Sequence, residues 1–139
     1  MTWLQWSLLS ALFAAITAVF AKLGVRDLDA NLATAIRTSV VVLLSWGVAG
    51  ATSGTTGIAH ISGRSWTFLI LSGLATGLSW LCYFRALQSG PLTRVAPVDK
   101  LSVALTIVLG IAIFGESLTW KSAGGALLIV AGVVMIALE

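Results

Sequence analysis

Five stretches of about 20 mainly apolar residues, separated by short polar segments, limit the folds that this chain can adopt. A stretch of that length crosses the hydrocarbon core of a bilayer as one α-helix, and these continuous runs lack the alternation typical of membrane β-strands. The sequence therefore predicts an all-α polytopic membrane protein whose five transmembrane helices form one domain over residues 1–139. The predicted spans are about Trp3–Leu23, Leu32–Ala49, Trp66–Gln88, Thr93–Phe114 and Thr119–Leu138.

Composition supports the membrane assignment and leaves little room for other classes. Apolar residues make up 58% of the 139 residues and charged residues only 9%, whereas soluble domains carry about 25% charged residues. The net charge of +3 is spread thinly and forms no basic patch of the kind that nucleic acid requires. One histidine, His60, and one cysteine, Cys82, do not make a metal-binding cluster or a catalytic set. We therefore expect no enzyme activity, no metal and no cofactor.

The polar segments between the predicted spans contain recognisable helix boundaries. The stretch "GVRDLDAN" (Gly24–Asn31) ends the first helix, and either Asp29 or Asn31 can cap the second. The stretch Gly50–Ser65 is rich in Gly, Ser and Thr and is predicted to be a flexible loop.

The positions of Lys and Arg give only a weak signal for orientation in the membrane. The expected location is a bacterial or archaeal cytoplasmic (inner) membrane. By the positive-inside rule, the Lys and Arg positions favour an N-terminus on the outer side of this membrane and a C-terminus on the cytoplasmic side. A bias this small is also expected of a dual-topology protein, whose copies insert in both orientations, so both alternatives stay open. The predicted inner side holds Lys22, Arg26 and Arg94, with Arg85 nearby, and the other side holds Arg64 and Lys121.

Charged residues inside the predicted spans are the first candidates for function, because each costs about 2.5–3.5 kcal/mol to insert. Arg37 lies about two turns into the second helix, and Asp99 and Lys100 lie about two turns into the fourth. Neighbours on a helix point about 100° apart, so we expect Asp99 and Lys100 to find separate partners, with Arg37 the candidate for Asp99. The alternative is that these charges lie near the interface and only anchor the helices. Pro97 is expected to kink the fourth helix.

Two aromatic residues of the third span are further candidates. Trp80 lies in mid-span, away from the helix ends where Trp residues usually meet the membrane interface, and Tyr83 continues the same stripe. One interpretation is a packing face, next to the GxxxG of Gly73 and Gly77. The other is a substrate cavity in which the rings stack on flat or cationic ligands. The sequence leaves both open.

The run "FRALQSGPLTRVAPVDKLSVALTIVLGIAIFGESLTWKSAGGALLIVAGVVMIAL" (Phe84–Leu138) resembles the closing half of an EamA-type domain in the drug/metabolite transporter superfamily. The shared marks are the "AL..G" turn, a Pro-containing fourth helix, "FGE" before the last loop and the final "GGALLIVAGV" helix. The stretches "NLATAIRTSVVVLL" and "LSGLATGLSWLCYFRALQ" resemble the single-repeat, five-helix branch of that superfamily. The resemblance covers nearly the whole chain and implies a transporter, with Glu116 holding the turn between the last two helices.

Most EamA proteins carry two repeats in opposite orientation, and inverted repeats build a midplane site at their interface. A single repeat can form such a site only as a dimer, most simply an antiparallel homodimer. The related small multidrug resistance family uses a carboxylate in its first helix, which is absent from Trp3–Lys22 here, so Asp99 is the expected coupling group. That family dimerises through its last helix, by a pattern similar to Gly125, Leu128, Ile129, Gly132 and Val133 here.

The resulting hypothesis is a secondary active transporter of a small metabolite or drug-like solute, embedded in the lipid bilayer and working by alternating access as a homodimer. The alternative is a non-transporting membrane subunit or scaffold, or half of a heterodimeric transporter, in which the charges pair inside the fold and no cavity remains. Protons are the candidate coupling ion. The predicted substrate and coupling residues are Asp99, Lys100, Arg37, Trp80 and Tyr83.

Overall fold

The computed structural model describes residues 2–52 and 56–138 of the chain. These residues form helices and turns, with no β-strand among them, which confirms the predicted all-α class. The elements in chain order are α1 (Trp3–Gly24), α2 (Ala30–Thr52), a short 3₁₀ helix (Thr56–His60), α3 (Gly63–Ser89), α4 (Leu92–Asp99), α5 (Leu101–Phe114) and α6 (Trp120–Ala137).

Five segments of the described chain are long and apolar enough to cross a membrane: α1, α2, α3, α4 with α5, and α6. They contain 18 to 27 residues. At 1.5 Å per residue, a helix of that length reaches about 27–40 Å, which matches a hydrocarbon core about 30 Å thick. Most of their large apolar side chains are exposed on the isolated chain, as is suitable where lipid rather than water surrounds them. The protein is therefore an integral membrane protein.

Contacts along the chain define two compact units, which are described separately. The central unit comprises Phe20–Gln88, and the terminal unit comprises Met1–Val19 together with Ser89–Glu139.

The central unit has its buried residues where α1 ends, α2 begins and α3 ends. Asp29 starts α2, because its Oδ1 atom accepts the backbone N–H groups of Asn31 (2.9 Å) and Leu32 (3.1 Å). This confirms Asp29 as the cap. The buried Thr34 hydroxyl donates to the Ala30 carbonyl at 2.7 Å, so its polar group is satisfied. The buried set is Ala21, Val25, Ala30, Thr34, Phe84 and Leu87.

The predicted flexible loop Gly50–Ser65 is partly helical. Its first residues continue α2 to Thr52, and Thr56–His60 form the 3₁₀ helix, while residues 53–55 of the predicted loop lie outside the described residues. Ser62 then caps α3, since its hydroxyl accepts the Ser65 N–H at 3.1 Å.

In the terminal unit the fourth span is two helices rather than one. The Lys100 N–H donates to the Pro97 carbonyl at 2.9 Å and the Val103 N–H to the Lys100 carbonyl at 3.0 Å, three residues back in each case. These shorter steps tighten the backbone where α4 meets α5. Pro97, the predicted kink residue, lies inside α4, and the break falls three residues beyond it at Lys100. Proline has no N–H, so the regular α-helical ladder is already interrupted on this side of the break.

The turn from α5 to α6 is built on glycine. Gly115 adopts the left-handed conformation (φ 65°), and its N–H donates to the Ile111 carbonyl at 3.1 Å, which closes the end of α5. Thr119 then caps α6 by accepting the Ser122 N–H at 3.2 Å. Helices α4, α5 and α6 all contact one another within this unit.

Candidate functional site

The central feature of the site is a cation held over aromatic rings in the central unit. The Arg37 guanidinium carbon, on α2, lies 3.8 Å from the centroid of the Trp80 ring and 5.7 Å from that of Phe84, both on α3. Trp80 and Phe84 are four residues apart, so their side chains share one face of α3. The negative face of an aromatic ring attracts a cation. The rings therefore offset part of the cost of placing the Arg37 charge in an apolar span.

The stack of Arg37 on Trp80 lies well inside both helices. Arg37 is seven residues from the start of α2 at Ala30, or about 10 Å along the axis. Trp80 is nine residues before the end of α3 at Ser89, or about 14 Å. The pair is thus more than one turn from either helix end, deep enough to need a polar partner or water.

The Arg37 guanidinium has no oxygen partner within its own unit. Across residues 20–52 and 56–88 it makes ring contacts but no hydrogen bond or ion pair. Tyr83, half-buried one turn along α3 from Trp80, is near enough to interact electrostatically with Arg37. The structure therefore brings together three of the five predicted site residues: Arg37, Trp80 and Tyr83.

Polar side chains at the end of α3 hold the turn between α1 and α2. The Gln88 amide donates to the carbonyls of Leu28 (2.6 Å) and Val25 (3.3 Å). The Lys22 ammonium donates to the Leu87 carbonyl. These three hydrogen bonds satisfy carbonyls that helix ends and turns leave free. We call this group, Lys22 with Gln88 and the carbonyls that they bind, the turn clamp.

Sequence reasoning missed both the turn clamp and the second ring of the stack. A glutamine in the last turn of a span, and a lysine in the last turn of α1, are signals for carbonyl capping. Phe84 follows Trp80 at the helical spacing of four, which is the signal for a shared face. In the same region the Arg85 guanidinium donates to the Asn31 amide oxygen at 3.4 Å.

Asp99 and Lys100 pair with each other in the terminal unit, so the expectation of separate partners was wrong. The Lys100 ammonium lies 3.2 Å from Oδ2 of Asp99. Lys100 lies at the break between α4 and α5, although its backbone stays in the right-handed helical region (φ −72°, ψ −4°). There the long lysine side chain can turn back to its neighbour. The side chains are 38% (Asp99) and 55% (Lys100) exposed, so both reach the surface of the chain. The predicted pairing of Arg37 with Asp99 stays a prediction.

The predicted dimer face lies on α6. The exposed fractions of Leu128 and Ile129 are 76% and 41%, and a methyl group added at Gly125 or Gly132 would meet no atom within 4 Å. Val133 differs from these four, because only 6% of it is exposed. A partner helix on this face would therefore meet the other four residues and not Val133.

The described residues form apolar spans that hold a stacked cation and an ion-paired helix break, features that suit a membrane transport protein. The chain belongs to the EamA-like transporter family, whose sequence profile matches residues 1–138. It is also similar to the "uncharacterized transporter in cobO 3'region" of a Sinorhizobium species, with 47% identity over 136 residues, 98% of this chain and 96% of the relative. No solved structure gives a significant match. The family confirms the resemblance read from the sequence and supports a role in transport rather than in catalysis.

Proposed function

We propose that this protein is a secondary active transporter of a small metabolite or drug-like solute in the cytoplasmic membrane, working by alternating access. The observation that carries the proposal beyond family membership is the Arg37 guanidinium, held over Trp80 inside a span without an oxygen partner in its unit. A charge costs about 2.5–3.5 kcal/mol to insert in a span, and a cation that only anchored a helix would gain more at the helix end. A role in solute binding explains its position.

The helix break at Lys100 is the proposed coupling site. Transporters place ion and substrate sites at interrupted membrane helices, where backbone groups and charges become accessible. Asp99 is the group that binds and releases the coupling ion, with a proton as the candidate. Lys100, 3.2 Å away, balances its charge when the carboxylate is ionised.

An antiparallel homodimer is the proposed working form. Five spans are found among residues 2–52 and 56–138, which corresponds to one repeat of the two that inverted-repeat transporters use. The exposed α6 face, with Gly125 and Gly132 open to close approach, supports a helix partner there. The same face would also suit a related chain, so half of a heterodimeric transporter is the second candidate.

Flux through reconstituted protein tests the transport function. We would load proteoliposomes with a pH-sensitive dye, add a panel of anionic, zwitterionic and cationic metabolites, and record solute-driven proton movement. We expect signals with the wild type and with Asp27→Asn, which changes an exposed carboxylate in the turn between α1 and α2. Asp99→Asn should abolish the proton signal. An unchanged rate and pH dependence in Asp99→Asn would remove Asp99 from coupling, and no flux with any solute would support a non-transporting subunit.

The orientation of the termini tests the antiparallel dimer. Reporter tags on the N-terminus and the C-terminus, each assayed in intact cells and after permeabilisation, measure the fraction of copies in each orientation. Comparable fractions of the two orientations are expected. Finding every copy in one orientation would exclude the antiparallel homodimer and leave the heterodimer with an oppositely inserted partner.

A further inference from the structure

We propose that the stack of Arg37 on Trp80 recognises an oxyanion of the transported solute, a carboxylate or phosphate group, so that the substrate is an anion or a zwitterion. This inference rests on the proposed transport function and adds the chemical class of its substrate. It starts from the geometry of the guanidinium contact, in which the Arg37 guanidinium carbon lies 3.8 Å from the Trp80 ring centroid.

A stacked guanidinium keeps its hydrogen-bonding capacity. The group is planar, with five N–H donors around its edge, and stacking on an aromatic ring uses its face. The edge of Arg37 is therefore available for in-plane hydrogen bonds while Trp80 covers the face. Two parallel N–H groups fit the two oxygens of a carboxylate or phosphate, and such bidentate pairs are the stronger kind of hydrogen bond.

Arg37 differs in this respect from two other cations of the central unit, Lys22 and Arg85. Lys22 donates to the Leu87 carbonyl, and Arg85 donates to the Asn31 amide oxygen at 3.4 Å. Both therefore have oxygens of the protein as partners. Arg37 contacts rings and makes no hydrogen bond or ion pair among residues 20–52 and 56–88. In an apolar span, donors without acceptors are costly, so a ligand that brings two acceptor oxygens is bound there with a large gain.

The aromatic neighbours give the site its orientation and a place for the rest of the solute. Trp80 limits the rotation of the guanidinium, so less side-chain freedom is lost when an oxyanion binds. Tyr83 lies one turn along α3 from Trp80 and interacts electrostatically with Arg37. A flat solute with an oxyanion at one end suits this arrangement best, because its body can lie along the aromatic face of α3.

Equilibrium binding to the purified protein in lipid nanodiscs tests this inference without requiring flux. Benzoate and inorganic phosphate serve as oxyanion probes, and benzylamine is the matched cation with the same ring as benzoate. The variants are Arg37→Gln, which removes both the charge and the paired N–H donors of the guanidinium, and Arg37→Lys, which keeps only the charge. The control is Arg64→Gln, since Arg64 also lies over a ring, 5.9 Å from the Phe68 centroid, near the start of α3.

We expect at least one of the two oxyanion probes to bind and raise the unfolding temperature of the wild type and of Arg64→Gln, with benzylamine giving no effect. The dissociation constant should rise at least about tenfold in Arg37→Gln and by a smaller factor in Arg37→Lys. If Arg37→Gln does not fold, Arg37→Lys and Trp80→Leu carry the comparison. Binding of benzylamine at least as tight as that of benzoate, unchanged oxyanion binding in the Arg37 variants, or no binding of either oxyanion would overturn the inference.

The outcomes separate this inference from the proposed function. Flux of cationic solutes with no Arg37-dependent oxyanion binding would overturn the inference and leave the transporter standing. Arg37-dependent oxyanion binding without flux of any solute would overturn the transport function and leave an oxyanion site in a non-transporting subunit.

Discussion

The Arg37 guanidinium on α2 and the Trp80 ring on α3 lie 3.8 Å apart, measured from the guanidinium carbon to the ring centroid. Each residue is unusual within its own span. Arg37 is charged, and Trp80 is a tryptophan that lies away from the helix ends. Together they form a single unit, in which the ring stabilises the charge and the charge holds the ring against α2. The relationship accounts for both residues and links α2 to α3.

The stack should contribute measurably to stability. In a double-mutant cycle of Arg37→Gln and Trp80→Leu, we expect a coupling free energy of about 0.5–2 kcal/mol, because each single change removes the same cation–π contact. Reversible unfolding in mixed micelles, monitored by circular dichroism, measures it. The control cycle is Arg64→Gln with Phe68→Leu, whose longer distance of 5.9 Å should give a smaller coupling. Additive single effects at Arg37 and Trp80 would show that the contact stabilises nothing.

The turn clamp predicts a specific weakness at Gln88. Gln88→Leu keeps the approximate volume but removes the donor for the Val25 and Leu28 carbonyls. The expected loss is about 1–2 kcal/mol, with faster hydrogen exchange in the turn between α1 and α2. Gln5→Leu is the matched control, since among residues 2–52 and 56–138 the Gln5 side chain bonds only to the exposed Thr2 N–H. This substitution should cost less than about 0.5 kcal/mol. Equal losses of stability in Gln88→Leu and Gln5→Leu would contradict the role of Gln88 in the turn clamp.

Gly115 in the α5–α6 turn and Gly110 inside α5 should respond differently to alanine. Gly115 has φ 65°, where a Cβ atom is strained, so Gly115→Ala should destabilise the protein by about 1–2 kcal/mol and Gly115→Asn by less. At Gly110 an added Cβ would lie 2.9 Å from Oε2 of Glu116, the flexible end of a side chain that can turn away. Gly110→Ala should therefore be close to neutral. Thermal unfolding of the three variants provides the comparison.

The contact between Gly110 and Glu116 also bears on the role expected for Glu116 in this turn. The Glu116 N–H donates to the Gly110 carbonyl at 3.4 Å, while its carboxylate lies over the same glycine. A large loss of stability in Gly110→Ala that disappears in the double variant with Glu116→Ala would show that the carboxylate cannot move. That result would contradict the expectation that Gly115→Ala destabilises the protein more than Gly110→Ala.

If the dimer forms through the exposed face of α6, a large side chain on that face should prevent association. Gly132→Ile places a large side chain where a partner helix would approach closely, and we expect the dimer dissociation constant to rise at least about tenfold. Sedimentation equilibrium in density-matched detergent measures the association. Gly47→Ile is the control, because Gly47 on α2 also has open space around it but lies outside the proposed interface. Unchanged association in Gly132→Ile, or equal loss in Gly47→Ile, would move the interface away from α6.

Properties that depend on a few consecutive residues were accessible from the sequence. The length and hydropathy of each apolar run predict a membrane helix, because the bilayer thickness and the need to satisfy backbone groups leave no other solution. The Asp29 cap was also predictable as one of two choices, since a cap bonds amides only two and three residues away. The family marks added the class of protein, which hydropathy alone does not specify.

The tertiary structure decided which side chains meet. Arg37 and Trp80 were each candidates, but their contact depends on the register of α2 against α3, which no local pattern encodes. The ion pair of Asp99 with Lys100 was not expected from helical spacing; it forms where α4 ends, and the long lysine side chain reaches its neighbour there. Val133 likewise fits a dimer pattern in sequence but is buried. Local physics thus determines the spans and their caps, whereas partners distant in the chain follow from packing, which depends on all the helices of a unit at once.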